Sequence, residues 1–222
     1  MAKKVYLGVG HGGKDPGAVA NGFEEADLNL AIALACQAEL LRHGVSVLVS
    51  RTKDETEDLE SRIKECNKFK PDLALDIHNN AGGGDGAEAY HTYKGGTGKT
   101  LANNILAEMV AIGQNSRGAK TKKNSSGKDY FGFIRQTVCP AVIVECAFVD
   151  NKKDIKIIDT EEEQVVMGVA IARGILKTLG VAYKPKVVDT KTYRVQAFAG
   201  SKAGAEAMVK KLKAAGFDAV IV

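Results

Sequence analysis

Three separated segments carry the side chains that could do chemistry: Gly10-His11-Gly12-Gly13 with Glu25 following, Asp76-Ile77-His78-Asn79-Asn80-Ala81, and Val144-Glu145. His11, Glu25 and His78 are types that hold zinc, and three protein ligands leave a fourth position open for water. Glu145, at the end of an apolar run, is a spare carboxylate able to carry a proton as general base and acid. A zinc ion brings the pKa of its water down to about 7 and polarises a carbonyl, so the chemistry such a set would do is hydrolysis. Each residue alone says little. Glu25 could simply be a first-turn carboxylate favoured by a helix dipole, and Glu145 could be the buried partner of Arg135 or a lysine. The weight lies in finding all four together at the ends of structural elements.

Those elements alternate. Val5–Val9, Val45–Val49, Leu73–Ile77, Ala87–Tyr93 and Ala141–Val144 are short apolar runs that read as strands. Asp27–Arg42, with Leu28, Ala31, Ala35, Ala38 and Leu41 at helical spacing, reads as a helix stopped by Gly44, and Leu59–Phe69, Leu101–Ile112 and Glu161–Leu179 as three more. Such alternation predicts an α/β fold, with a single largely parallel sheet flanked by helices. His11, His78 and Glu145 then fall at carboxyl ends of strands, where open α/β sheets bind ligands. Asn115–Lys128, polar and rich in Gly, Ser and Lys, reads as a mobile loop. Asn80, Arg135 and His91 are candidates for substrate contacts, His91 because it alternates with Ala89 and Tyr93 along a strand. His43, next to Gly44 at a helix end, reads as a structural cation on the dipole.

The 222 residues, 45% hydrophobic and 26% charged, suit one full domain and a small appendage. No stretch approaches the roughly 18 apolar residues of a membrane span. The apolar part of the N-terminus is too short for a secretory leader and runs straight into the His11 motif. Synthesis in the cytoplasm is therefore expected, with any outside target reached after release or lysis. Cys36, Cys66, Cys139 and Cys146 show no metal or redox spacing and read as small core residues. Gly95-Gly96-Thr97-Gly98-Lys99-Thr100 imitates a phosphate loop, but Tyr93 stands where its first glycine must be.

The four site residues lie in segments that resemble a known family. Gly10-His11-Gly12-Gly13-Lys14-Asp15-Pro16-Gly17-Ala18, Gly22-Phe23-Glu24-Glu25, Ser50-Arg51-Thr52, Arg62, Ile77-His78-Asn79-Asn80-Ala81 and Pro140–Asn151 resemble, in order and spacing, the motifs of zinc-dependent N-acetylmuramoyl-L-alanine amidases of cell-wall lytic enzymes and endolysins. The resemblance runs from about Val5 to Leu179. It implies one zinc ion on His11, Glu25 and His78, Glu145 as acid and base, and cleavage of the amide between the lactyl group of N-acetylmuramic acid and L-alanine of the peptidoglycan stem peptide. Two positions depart from the pattern: Asp76 stands where serine is usual, and Ala147 where glycine is common. Asp76 either adds charge near the metal or faces the other side of the sheet.

This gives a catalytic domain at 1–180, a linker at 181–191 and a β-α-β unit at 192–222. From Tyr183 onward lie eight of the 31 basic residues but only three of the 27 acidic ones, so the tail suits an anionic partner or simply carries solvated lysines. Tyr193-Arg194-Val195-Gln196-Ala197-Phe198 and the pattern after it resemble the first half of a sporulation-related repeat, which implies binding of peptidoglycan glycan strands. Either the chain is cut short or the half repeat pairs with a second copy as a homodimer, completing an otherwise exposed strand edge. The tail's aromatic residues do not interleave with its lysines, so nucleic acid is not an expected partner. Two alternatives remain open: a zinc peptidase cutting within the stem peptide, and a non-catalytic wall-binding module.

Overall fold

The computed structural model describes residues 2–185 together with Glu206, Val209 and Lys210. Apart from those last three, the expected half repeat at 192–222 lies outside the described residues, as does most of the expected linker.

In chain order the elements are β1 (Lys4–Val9), a short hairpin of β2 (Val19–Ala20) and β3 (Phe23–Glu24), α1 (Glu25–Arg42), β4 (Ser46–Val49), α2 (Leu59–Phe69), β5 (Leu73–Asn80), β6 (Ala87–His91), α3 (Thr97–Ala111), β7 (Ser116–Lys120), α4 (Gly132–Gln136), β8 (Ala141–Phe148) and α5 (Glu161–Leu179). Six strands form one sheet in the order β4-β1-β5-β8-β6-β7. Every pairing is parallel except β6 with β8. The α/β fold with a largely parallel sheet flanked by helices is thus the observed one. No helix among the described residues is long and apolar enough to cross a membrane.

Side-chain alternation divides the sheet into two unlike faces. Val5, Leu7, Leu75, Ile77, Val142 and Val144 join the large core under α1, α3 and α5. Tyr6, Ala74, Ala141 and Ile143 point the other way, into a smaller cluster with Ile63 of α2 and Phe133 of α4. Helix α5 starts on a capping box in which Thr160 and Glu163 satisfy each other's backbone N–H groups. It presses close to α1 because Gly168 has no side chain: a Cβ there would lie 2.5 Å from the Ile32 carbonyl oxygen.

Several expectations are corrected. The buried stripe of α1 runs through Leu28, Ile32, Cys36 and Leu40, while Leu41 is exposed. The helix is apolar nearly all round, and packing selects the larger residues over the alanines. Part of the expected mobile loop, Ser116–Lys120, is an edge strand beside β6. Its polar residues suit it to that place, because Arg117 and Lys120 both pair with the buried Glu88. His43 is structural as expected, tied at both ring nitrogens: Nδ1 lies 2.8 Å from the Glu39 carbonyl and Nε2 2.9 Å from the Lys184 N–H.

Candidate metal centre

The carboxyl ends of β1 and β5 and the start of α1 meet at one rim of the sheet. His11 leaves β1 in a left-handed conformation, φ 60°, that turns the chain sharply. The preceding Gly10 leaves room for the second histidine, since a Cβ on it would sit 2.2 Å from the His78 ring. His78 lies inside β5, which runs past the expected end at Ile77 to Asn80. The two rings meet edge to face, centroids 5.0 Å apart.

Glu25, the first residue of α1, lies between them. Its Oε1 is 3.2 Å from His11 Nε2 and 3.0 Å from His78 Nδ1. One ligand atom from each of His11, Glu25 and His78 lies within 4.8 Å of the others. The rest of Glu25 is held by the fold: Oε1 accepts from the Asn79 N–H at 3.1 Å and Asn29 Nδ2 at 3.3 Å, and Oε2 from the Ala18 N–H at 3.0 Å. Burial works against its charge, but the two histidines and these donors outweigh it and hold the carboxyl well below the usual range. Burial alone would also push His78 down. The carboxylates of Asp76, Glu25 and Glu145 overcome that and push it up to about 10.

Glu145 projects from β8 on the same face, in register with His78 on one side and Glu88 on the other. It lies within the strand, which continues to Phe148, rather than after its end. Glu145 Oε2 is buried and has no hydrogen-bond partner. Burial above all, joined by the nearby carboxylates of Glu25, Glu88 and Asp76 and opposed by His78, pushes this carboxyl up to about 7. A cleft of about 200 Å³ opens over these groups, lined by His78, Asp76 and Glu145 and by the apolar Leu59, Phe131 and Phe133.

Asp76 lies on the same face as His78, because residues two apart in a strand share a face; the alternative that it faces the other side is corrected. Of the expected substrate contacts, Asn80 stands at the end of β5 with its side chain accepting from the Ala81 N–H. Arg135, on α4 next to the cleft-lining Gly132 and Phe133, donates to the carbonyls of Asp129 and Tyr130. His91 is not brought to the site. β6 runs antiparallel to β8, which sets His91 beside Val142, at the opposite end from Glu145, buried and against the Thr92 carbonyl.

The sequence reading assigned no role to the polar residues that hold this rim. Arg51 is 2% exposed and donates to the Gly10 and Ala26 carbonyls, clamping the His11 turn to the start of α1. Asn29 donates to the same Gly10 carbonyl and accepts from Asn79 Nδ2. The available signal was an asparagine on the buried face of an apolar helix, four residues after Glu25, where a polar group requires partners.

A mixed α/β sheet carrying two histidines and a buried carboxylate on one rim, beside a second buried glutamate in a cleft, suits a hydrolase-like class. Residues 5–177 match the Amidase_3 family, N-acetylmuramoyl-L-alanine amidase, and the chain belongs to that family. It is 36% identical over 225 residues to the N-acetylmuramoyl-L-alanine amidase CwlM of Bacillus licheniformis, covering 99% of this chain and 84% of that one. Among solved structures it resembles Cwp6 from Clostridium difficile, with a TM-score of 0.79 and 39% identity over 81% of this chain and 30% of that one. It also resembles the catalytic domain of CwlV, an N-acetylmuramoyl-L-alanine amidase from Bacillus (Paenibacillus) polymyxa, with a TM-score of 0.73 and 30% identity over 81% of this chain and 99% of that one.

Proposed function

We propose that this peptidoglycan amidase is zinc-dependent, with one ion held by His11, Glu25 and His78 and with Glu145 as the proton carrier. The observation that carries the reading is the meeting of three donor atoms, two imidazole nitrogens and a carboxylate oxygen, beside a buried Glu145 oxygen that has no partner. Two imidazoles and one carboxylate are a donor set that zinc takes, with a position left open. Both rings also have a carboxylate near their second nitrogen: Asp15 Oδ2 is 2.8 Å from His11 Nδ1, and Asp76 Oδ2 is 3.5 Å from His78 Nε2. That support is typical of metal-binding histidines.

When bound, zinc would supply Lewis acidity, polarising the scissile carbonyl and acidifying the attacking water. The chain's own residues do the rest. Glu145 takes the proton of the attacking water on its unpartnered oxygen and returns it to the amine of L-alanine as the amide to the lactyl group breaks. Leu59, Phe131 and Phe133 give the cleft an apolar side that keeps water away from the reacting groups. Residues 192–222 are assigned to glycan strands. Their sequence pattern supports this, and loss of wall binding by a chain ending at Lys184 would test it.

The test of the catalytic reading is digestion of purified peptidoglycan with and without a chelator, followed by end-group analysis. New L-alanine amino termini without new reducing sugars, abolished by chelation and restored by zinc, are expected. Amino termini of another residue would move the cut into the stem peptide, and wall binding without cleavage would leave a binding module.

A further inference from the structure

Asp76 is buried, 2% exposed, on the cleft face of β5 between Gly8 of β1 and Ile143 of β8. A carboxylate in such a place is costly unless paired. One oxygen has its partner: Oδ1 accepts from Arg62 Nη1 at 2.9 Å, and the same Arg62 nitrogen also donates to the Val9 carbonyl at 3.2 Å. The other oxygen, Oδ2, points at His78 Nε2, 3.5 Å away. The space exists because position 8 is glycine: a Cβ there would lie 2.4 Å from Asp76 Oδ1. Pairing with Arg62 needs only one oxygen, so the direction of the second calls for its own account.

The His78 ring has two distinct edges. Nδ1 faces Glu25 Oε1 at 3.0 Å, whereas Nε2 faces Asp76 at 3.5 Å. A neutral imidazole can offer a lone pair at one nitrogen only when its proton is on the other. We propose that Asp76, anchored by Arg62, is a positioning residue for His78: it holds the proton on Nε2 and thereby presents the Nδ1 lone pair to the metal. The chain Val9 carbonyl–Arg62–Asp76–His78 ties the orientation of one ligand to the main chain of β1. Partners that orient ligating histidines typically change metal affinity 10–100-fold.

This inference rests on the zinc reading of the site, and its test separates the two. Zinc affinity of the full chain is measured by competition with a chromophoric chelator, for the wild type, Asp76→Ser, and the double variant Arg62→Met/Asp76→Ser. In parallel, the 15N shifts of labelled histidine in the zinc-loaded wild type show which nitrogen of His78 carries the proton. We expect Asp76→Ser to weaken zinc binding by roughly 10- to 100-fold. The double variant should regain stability, because the buried guanidinium is gone, without regaining affinity. The NMR signature should be a proton on Nε2 and metal at Nδ1. Full recovery of affinity in the double variant would make Asp76 a mere partner for Arg62 and overturn the inference. Coordination of zinc through Nε2 would overturn it in the wild type, with no dependence on how any variant folds. A wild-type chain that binds no zinc would overturn the metal reading together with it.

Discussion

Glu25 at the start of α1 and Glu145 in β8 lie on either side of His78, and the fold treats them oppositely. Glu25 receives donors on both oxygens, the N–H groups of Ala18 and Asn79 and the Asn29 amide, and a nitrogen of each histidine lies within 3.2 Å of Oε1. Glu145 is left with a buried oxygen that has no hydrogen-bond partner. The first carboxyl is accordingly held well below its usual range and stays ionised, while burial pushes the second up to about 7. Two carboxylates driven apart in this way suit the different roles proposed for them, one a permanent charge beside a cation and one a proton carrier. The difference arises from where they stand. Glu25 sits at the start of α1, where the Ala18 N–H, the Asn79 N–H of β5 and the Asn29 side chain one turn on all reach its carboxylate. Glu145 projects from the middle of a strand, whose backbone groups are spent on the ladder.

Removing a member of the Glu25 side should have the largest effect. His11→Ala, His78→Ala and Glu25→Gln should each lose both zinc and turnover, measured by metal analysis of the purified protein and release of L-alanine amino termini. Glu145→Gln should retain zinc and lose turnover by about 10²–10⁴-fold, the usual contribution of a positioned acid or base. A fully active Glu145→Gln chain would break the comparison at its centre.

The third effect is on stability, read in the metal-free protein. Glu145 binds its proton more tightly folded than unfolded, so its contribution is fully present below pH 4.5 and is lost as pH rises through about 7. Glu25 has the opposite sign: its contribution is present above about pH 4.5 and is lost as pH falls towards its depressed pKa. In chelator, Glu145→Gln should therefore melt higher than the wild type at pH 8 and alike at pH 4. Glu25→Gln should melt lower at pH 8. Thermal melts at the two pH values check both signs.

Much of this arrangement was legible in the sequence because the residue types were distinctive. α2 and α5 have the bounds that apolar spacing and turn residues suggested, Leu59–Phe69 and Glu161–Leu179. His11, His78 and Glu145 were singled out by type and by the ends of apolar runs, Glu25 by its type just before a helix and by the family motif, and the fold brings them together. What escaped depends on direction and pairing, which a single chain does not display. Nothing in Ala87–His91 says that β6 runs against β8, and that reversal is what carries His91 away from Glu145. Arg117 and Lys120 look like loop residues until Glu88 is known to be buried beside them. Arg51 and Asn29 act through backbone carbonyls, whose positions no sequence motif reports.

The smallest expected effect sharpens the comparison on its better-supported side. Asp15 stands behind His11 as Asp76 stands behind His78, and at 2.8 Å its contact is the shorter of the two. Its side chain is 64% exposed, however, against 3% for Asp76. In water a charge close to an imidazole is screened, and a solvent molecule can take over as acceptor for the ring N–H when the carboxylate is removed. Asp15→Asn also keeps an acceptor oxygen and loses only the charge. Zinc affinity should therefore fall by only about two- to five-fold, the range of an exposed ion pair. The same chelator competition that reads Asp76 measures it. A loss at Asp15 as large as that at Asp76 would mean that contact distance, rather than burial, governs how strongly a carboxylate supports a ligating histidine in this fold.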